Sequence, residues 1–422
     1  MKARLTLVLA ATLGLAACQG DNSAPPTAAR SMNASQAQEN LLTVVPEPAL
    51  NARQHQLLAT IRGRASTAEV HLARIAAGPG RQLQSGGAIR LAVAPGVNVV
   101  ALPEHFQQRA ADDLSWSGPV QGGGWVQLVY MDGGVTATVT VGRTQYGIEP
   151  LGDGLHAVSR IDQSGFPQEH PADDFSGALE DNGRVLGAKN PGDGTIGIQA
   201  VSTQNVLVVY TASAAAAVSN IASTIQLAVD ETNQSYANSG ISINMVRVNT
   251  SQVTYSEAGR SFSQHVSALQ STSDGIMDNV HTLRNTYAAD IVVLVVNDSE
   301  ACGQAAAIKA TATSAFAVAH YSCITGYYSF GHEIGHLQGA RHDRFVDGST
   351  SPYSYGHGYI PPSKAWRTVM AYGNNCSNCT RVQYWSTPLR TYPPTGEVLG
   401  TATYEDNARV LNTTAATVAA FR

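Results

Sequence analysis

Cysteine is scarce in this chain of 422 residues: there are five, and one of them, Cys18, falls close to the N-terminus. Charge is scarce as well. Only 14% of residues are charged, and 26 Lys+Arg against 31 Asp+Glu leave a net charge of −5. Without a basic stripe the chain has no electrostatic footprint for nucleic acid or for an anionic membrane surface, so neither is expected as a partner. After residue 17 no apolar run approaches the roughly 18 residues of a membrane-spanning helix. The 39 glycines follow no collagen-like period, and 43% hydrophobic residues is too high for a wholly disordered chain. A globular protein remains, and at about 150 residues per domain its length suggests two folded units plus a leader.

The leader has the pattern of an export signal: Lys2 and Arg4 precede an apolar stretch over residues 5–17 that is too short to span a bilayer. Leu15-Ala16-Ala17-Cys18 resembles the lipobox of bacterial lipoproteins, in which the cysteine is lipidated and becomes the new N-terminus. The alternative is an ordinary signal peptide that contains a cysteine. Residues 1–17 are therefore expected to be removed, and residues 18–40, rich in Ala, Ser, Asn, Pro and Gln, to form a flexible tether. The precursor is expected in the bacterial cell envelope, touching the membrane only through a lipid on Cys18. Four cysteines are left, Cys302, Cys323, Cys376 and Cys379, an even number in an exported chain and so two expected disulfides. Of three connectivities, Cys302–Cys323 with Cys376–Cys379 is preferred because both pairs are local. A cysteine zinc site is the weaker reading, since Cys376-x-x-Cys379 has no second such pair.

Residues 41–195 read as a β-rich N-terminal unit. The alternating runs 125–130 and 135–141 flank Asp132-Gly133-Gly134, the signature of a hairpin. Gly, Pro, Asn and Asp then crowd residues 187–195, the composition of an exposed linker. Beyond it the apolar β-branched runs 206–210, 241–248 and 291–296 alternate with helical periodicity over 213–236 and 263–287, and 315–321 adds a shorter strand expected at a sheet edge. The expected fold is α/β (α+β), a mostly parallel twisted sheet with helices in residues 196–422, preceded by the β-rich unit.

The chemistry lies in His332-Glu333-Ile334-Gly335-His336-Leu337-Gln338-Gly339-Ala340-Arg341-His342-Asp343, which matches HExxHxxGxxH at every fixed position. On a helix His332 and His336 lie one turn apart on the same face and can reach one zinc ion. Glu333 is free to take a proton from the attacking water and pass it to the leaving amine. Gly339 can adopt positive φ, end the helix and turn the chain back so that His342 completes a three-nitrogen set. His265, His281 and His320 have no partner pattern and read as ordinary residues.

This helix motif, followed by Thr368-Val369-Met370-Ala371-Tyr372, resembles the metzincin zinc endopeptidases. The resemblance implies a two-lobed catalytic domain with Met370 as a packing floor beneath one catalytic zinc; it says nothing of calcium. Asp343 is similar to the reprolysin branch, whereas Tyr372 looks like the astacin and serralysin pattern, in which it ligates the metal and then stabilises an oxyanion; a structural Tyr372 is the alternative. Tyr355-Gly356-His357-Gly358-Tyr359 and Trp385-Ser386-Thr387-Pro388 extend the resemblance to the bacterial peptidyl-Asp metalloendopeptidases over about residues 200–422. That family implies polypeptide substrates cleaved before acidic residues, with a cation in the S1′ pocket, and Arg381, then Arg390, are the candidates for it. A solvated surface charge is the competing reading of each.

The function expected is an exported zinc endopeptidase made as a proprotein, with Asp or Glu preferred at P1′ and its own pro-domain as a partner. Alternatives are a general metalloendopeptidase with a hydrophobic P1′ preference, an exopeptidase or other zinc hydrolase, and a non-catalytic surface lipoprotein using the fold for binding. With no cysteine between Cys18 and the linker, a thiolate cannot impose latency. Glu169-His170-Pro171-Ala172-Asp173-Asp174 offers a carboxylate and an imidazole, a plain acidic turn being the preferred reading. Asp193 in the linker is the expected self-cleavage point, after which the catalytic part would leave as a secreted protein.

Overall fold

The computed structural model describes residues 40–171 and 200–422. The leader, Cys18 and the linker with Asp193 lie outside the described residues. Among the described residues no helix is long and apolar enough to cross a membrane.

Residues 42–161 build a ten-stranded sheet in which every neighbouring pair is antiparallel except Leu42–Val45 beside Ile89–Ala94. Strands Gly124–Met131 and Gly134–Val141 form a hairpin in register Tyr130 with Val135. Its turn residues Asp132 and Gly133 sit at φ 51° and 79°, both left-handed, as a tight turn matched to strand twist requires. Alternation sends Val126 and Leu128 into the main core of this sheet, with Trp116 and Ile148. The opposite face, Val129 and Met131, packs on Leu227 of the helix Ile221–Ser239.

That helix belongs to the second sheet, whose order is Ile243–Gln252, Ser202–Tyr210, Ile291–Val296, Phe316–His320 and Gly303–Ala305. The first four strands pair in parallel and the last is antiparallel. Ile291–Val296 is buried throughout because apolar clusters cover both faces of the sheet, which is why its sequence is continuously apolar.

Three elements differ from expectation. The helical stretch 213–236 is two helices, Ala212–Ala216 and Ile221–Ser239, because the Asn220 side chain accepts the Ser223 N–H and starts a new helix. The stretch 263–287 also divides, into Phe262–Gln270 and Asn279–Thr286, across a segment with Gly275 and Met277 at positive φ. Phe316–His320 is not an edge strand, since Gly303–Ala305 lies outside it. Three residues, Gly-Gln-Ala, carry no β-branched or aromatic signal from which that strand could be read. The disulfides are Cys302–Cys323 and Cys376–Cys379, with Cα separations of 5.5 and 5.3 Å. The first ties this edge strand to the segment entering the motif helix.

Candidate active site

The motif helix, Ser329–Gln338, is wholly buried and ends at Gly339, where φ reaches 108°. Any side chain there would be strained, so glycine is what lets the chain leave the helix and bring His342 back beside it. His332 Nε2 lies 3.2 Å from the Nε2 atoms of both His336 and His342, and His336 Nε2 lies 2.8 Å from that of His342. The opposite ring nitrogens of the first two are committed: His332 Nδ1 donates to the Val369 carbonyl and His336 Nδ1 to the Ala340 carbonyl, each at 2.9 Å. Those bonds fix the tautomers and leave Nε2 lone pairs facing one point. Burial holds all three rings far below the usual histidine range, in the neutral form that ligates a metal.

Under the cluster Met370 is fully buried. A Cβ on Gly335 would lie 2.5 Å from the Trp385 ring and 3.1 Å from the Met370 sulfur, so the helix face must be bare at this point. Asp343 is buried too, and its two oxygens accept the backbone N–H groups of Tyr372 (2.8 Å) and Phe345 (3.1 Å). It thereby pins the segment after Met370 to the turn after His342. The Tyr372 ring stands edge-on to His342, with centroids 4.5 Å apart.

Glu333 is fully buried, and burial pushes its carboxyl up to about 7. Both its oxygens lie 3.2 Å from His170 Nε2. The neighbouring Glu169 Oε2 accepts from Arg381 Nη1 at 2.7 Å. Arg381 is only 1% exposed, lies over the Tyr327 ring at 4.3 Å, and donates to the Tyr327 carbonyl at 3.0 Å. Arg367 is beside it, bonded from Nη2 to the Tyr327 hydroxyl at 3.1 Å, and burial together with the Arg381 charge lowers it to about 10.

A family profile described as metallo-peptidase family M12 (Reprolysin_5) matches residues 201–386. A peptidyl-Asp metalloendopeptidase of Xanthomonas campestris is 43% identical over 296 residues, 68% of this chain and 67% of that protein. The chain belongs to the peptidyl-Asp metalloendopeptidase family. A relative of the same name from Stenotrophomonas maltophilia is 43% identical over 72% of each chain, and one from Pseudomonas fragi is 42% identical over 46% of this chain and 100% of its own length.

The protein is a zinc metalloendopeptidase, and its side chains fit the ion. Tetrahedral zinc at about 2.0–2.1 Å from each imidazole nitrogen requires nitrogens about 3.3 Å apart. Two of the three separations are 3.2 Å and the third is 2.8 Å. Three neutral rings with converging lone pairs repel one another unless a cation lies between them. Of the two arginines considered from sequence, this metalloendopeptidase brings Arg381 to the site and leaves Arg390 exposed beside Gly240. The acidic stretch near residue 169 is no solvated turn: Glu169 and His170 are 2% and 5% exposed and lie against Arg381 and Glu333. Residues 172–174 of that stretch lie outside the described residues. Sequence reading gave no role to Tyr327 or Arg367 and passed over Gly303. A Cβ on Gly303 would come within 2.4 Å of Glu333 Oε1, and a lone glycine in an irregular segment carries no sign of that approach.

Proposed function

We propose that this zinc endopeptidase cleaves polypeptides on the N-terminal side of acidic residues, with Arg381 as the cation that selects the P1′ side chain. One observation carries the reading: a fully buried guanidinium beside the motif helix, already engaged by a carboxylate at 2.7 Å. A buried cation is costly unless paired, so a pocket built around one favours an anionic side chain over an apolar one. The names of the relatives agree with it.

His332, His336 and His342 would hold the ion, with Met370 as the apolar floor and Asp343 tying the floor to the third ligand. When bound, zinc supplies Lewis-acid polarisation of the scissile carbonyl and activates water for attack. Glu333 takes the proton as the carbon–oxygen bond forms and gives it to the leaving nitrogen as the carbon–nitrogen bond breaks. Tyr372, whose ring packs against His342, would donate its hydroxyl to the oxyanion.

In this reading the catalytic part, residues 196–422, is a metzincin-type domain and residues 41–195 are its β-rich pro-domain. A match to 68% of 422 residues is longer than the 223 residues from 200 to 422, so the likeness to the relatives reaches into this N-terminal part. Export by residues 1–17, a lipid on Cys18, the tether over 18–40 and self-cleavage at Gly192–Asp193 complete the proposal. A Cys18→Ala precursor should then partition away from membranes.

The deciding experiment maps cleavage of a peptide library with zinc measured on the same sample. Asp and Glu at P1′, and a kcat/KM at least about tenfold lower for Asp peptides in Arg381→Leu, are expected. Equal losses for acidic and hydrophobic P1′ peptides would make Arg381 a structural residue and turn the test to Arg390, whereas a library cut mainly before hydrophobic residues would place the enzyme in the general endopeptidase class.

A further inference from the structure

Glu169 and His170 enter the cleft on a segment fixed along its length. The Cys302 and Gly303 N–H groups donate to the carbonyls of Gln168 and Glu169 at 2.7 and 2.8 Å. Gln163 exchanges hydrogen bonds with the Arg381 backbone, accepting at 2.7 Å and donating at 3.2 Å. Phe166 stacks on Tyr327 with ring centroids 4.4 Å apart. The two side chains then diverge. Glu169 reaches Arg381, while the His170 ring stands 4.7, 5.0 and 5.4 Å from the rings of His342, His336 and His332. His170 offers a ligand nitrogen within 4.8 Å of those of all three.

We propose that Glu169 and His170 are a built-in, two-point inhibitor of this active site: the carboxylate fills the acidic-residue pocket at Arg381 while the imidazole completes a four-nitrogen set around the metal and faces Glu333. The inference rests on the acidic-pocket reading above. It accounts for each half of the pair by the chemistry of the group it meets. Arg381 binds any carboxylate of suitable reach, so Glu169 imitates the substrate's acidic residue. Tetrahedral zinc has one position left after three imidazoles, and a fourth imidazole there excludes the water the reaction needs.

The order of the two residues explains why the segment resists the site it occupies. In a substrate cleaved before its acidic residue, the residue at the metal precedes the acid. Here the residue at the metal, His170, follows Glu169. The bond N-terminal to the acid is therefore not the one offered to the metal, and an imidazole takes the place of a carbonyl. The plug binds as an acidic peptide does without presenting the cleavable bond.

The test uses the full chain carrying Glu333→Gln, so that it cannot process itself, in that form alone and with His170→Phe, His170→Ala or Glu169→Ala added. Three readouts are taken: bound zinc and its rate of loss to a chelator, the visible spectrum of the cobalt(II)-loaded protein, and binding of a blocked peptide containing one Asp or Ala in its place. His170→Phe keeps the volume but has no lone pair. It should release zinc at least tenfold faster and change the cobalt spectrum, as should His170→Ala. Glu169→Ala should raise affinity for the Asp peptide at least tenfold, and for the Ala peptide much less. Unchanged release and an unchanged spectrum in both His170 variants would overturn the metal half. Equal gains for the two peptides, or none, would overturn the carboxylate half. Failure of the parent chain to hold one zinc would instead remove the metal-site assignment, and the plug with it.

Discussion

Two imidazoles four residues apart, a carboxylate between them and a third imidazole after a glycine divide one reaction between metal and base. If, as proposed, the three nitrogens bind the ion and Glu333 handles only protons, Glu333→Ala is expected to abolish peptide hydrolysis while keeping about one zinc per chain. His336→Ala is expected to lose both, and metal analysis beside a peptide assay separates the two outcomes. The pair Arg381–Glu169 makes a second residue-scale prediction. Both side chains are at most 1% exposed, so Arg381→Leu strands a buried carboxylate, which costs about 3–5 kcal/mol where the structure cannot relax. The full-length variant should unfold at lower denaturant concentration or, if the segment leaves the cleft instead, be cut faster near residues 163–171 by an added protease. Neither change would show that the pair contributes little.

At the scale of the element, glycines decide how closely parts approach the metal. A methyl on Gly303 would meet Glu333 Oε1, Cδ and Cγ at 2.4 to 2.6 Å, so Gly303→Ala must displace the base. The expected result is a large fall in kcat with zinc content and circular dichroism unchanged, since only the carboxylate moves. Gly339→Ala acts differently. Placing a Cβ at φ 108° costs about 1–2 kcal/mol and shifts the turn that carries His342, so zinc affinity and thermal stability should fall together. Titration with a competing chelator reads the first and thermal melting the second.

For the whole molecule, buried histidines couple stability to pH. His156 is fully buried in the N-terminal sheet with Nε2 accepting the Val135 N–H, and burial lowers it to about 4. Burial, aided by the Arg64 charge, does the same for His320. Each has a folded-state pKa below the ordinary value of 6.5, so the unfolded chain binds protons first. Their contribution is complete above about pH 6.5 and is lost as pH falls toward 4. The metal-free full chain should melt progressively lower across that window. His156→Gln, which keeps an acceptor for Val135 but does not titrate there, should flatten the slope; an unaltered slope would refute the assignment.

The sequence by itself pointed to a zinc site and to the class of chemistry it serves, and favoured the two disulfide pairs that form, because each rests on local spacing. Four residues make one helical turn, three more reach past a glycine, and paired cysteines lie within 21 and 3 positions of each other. It did not determine what fills the cleft. Glu169 and His170 meet Arg381 and Glu333 across 212 and 163 positions, and nothing in an acidic hexapeptide distinguishes a solvated turn from an intramolecular ligand. The same holds for Arg381 against Arg390: their side chains are identical, and only burial against Tyr327 separates a cation held beside the histidine cluster from a surface charge. Tertiary structure decides such cases because the energy of a charge depends on the water removed from around it and on the partner that replaces that water.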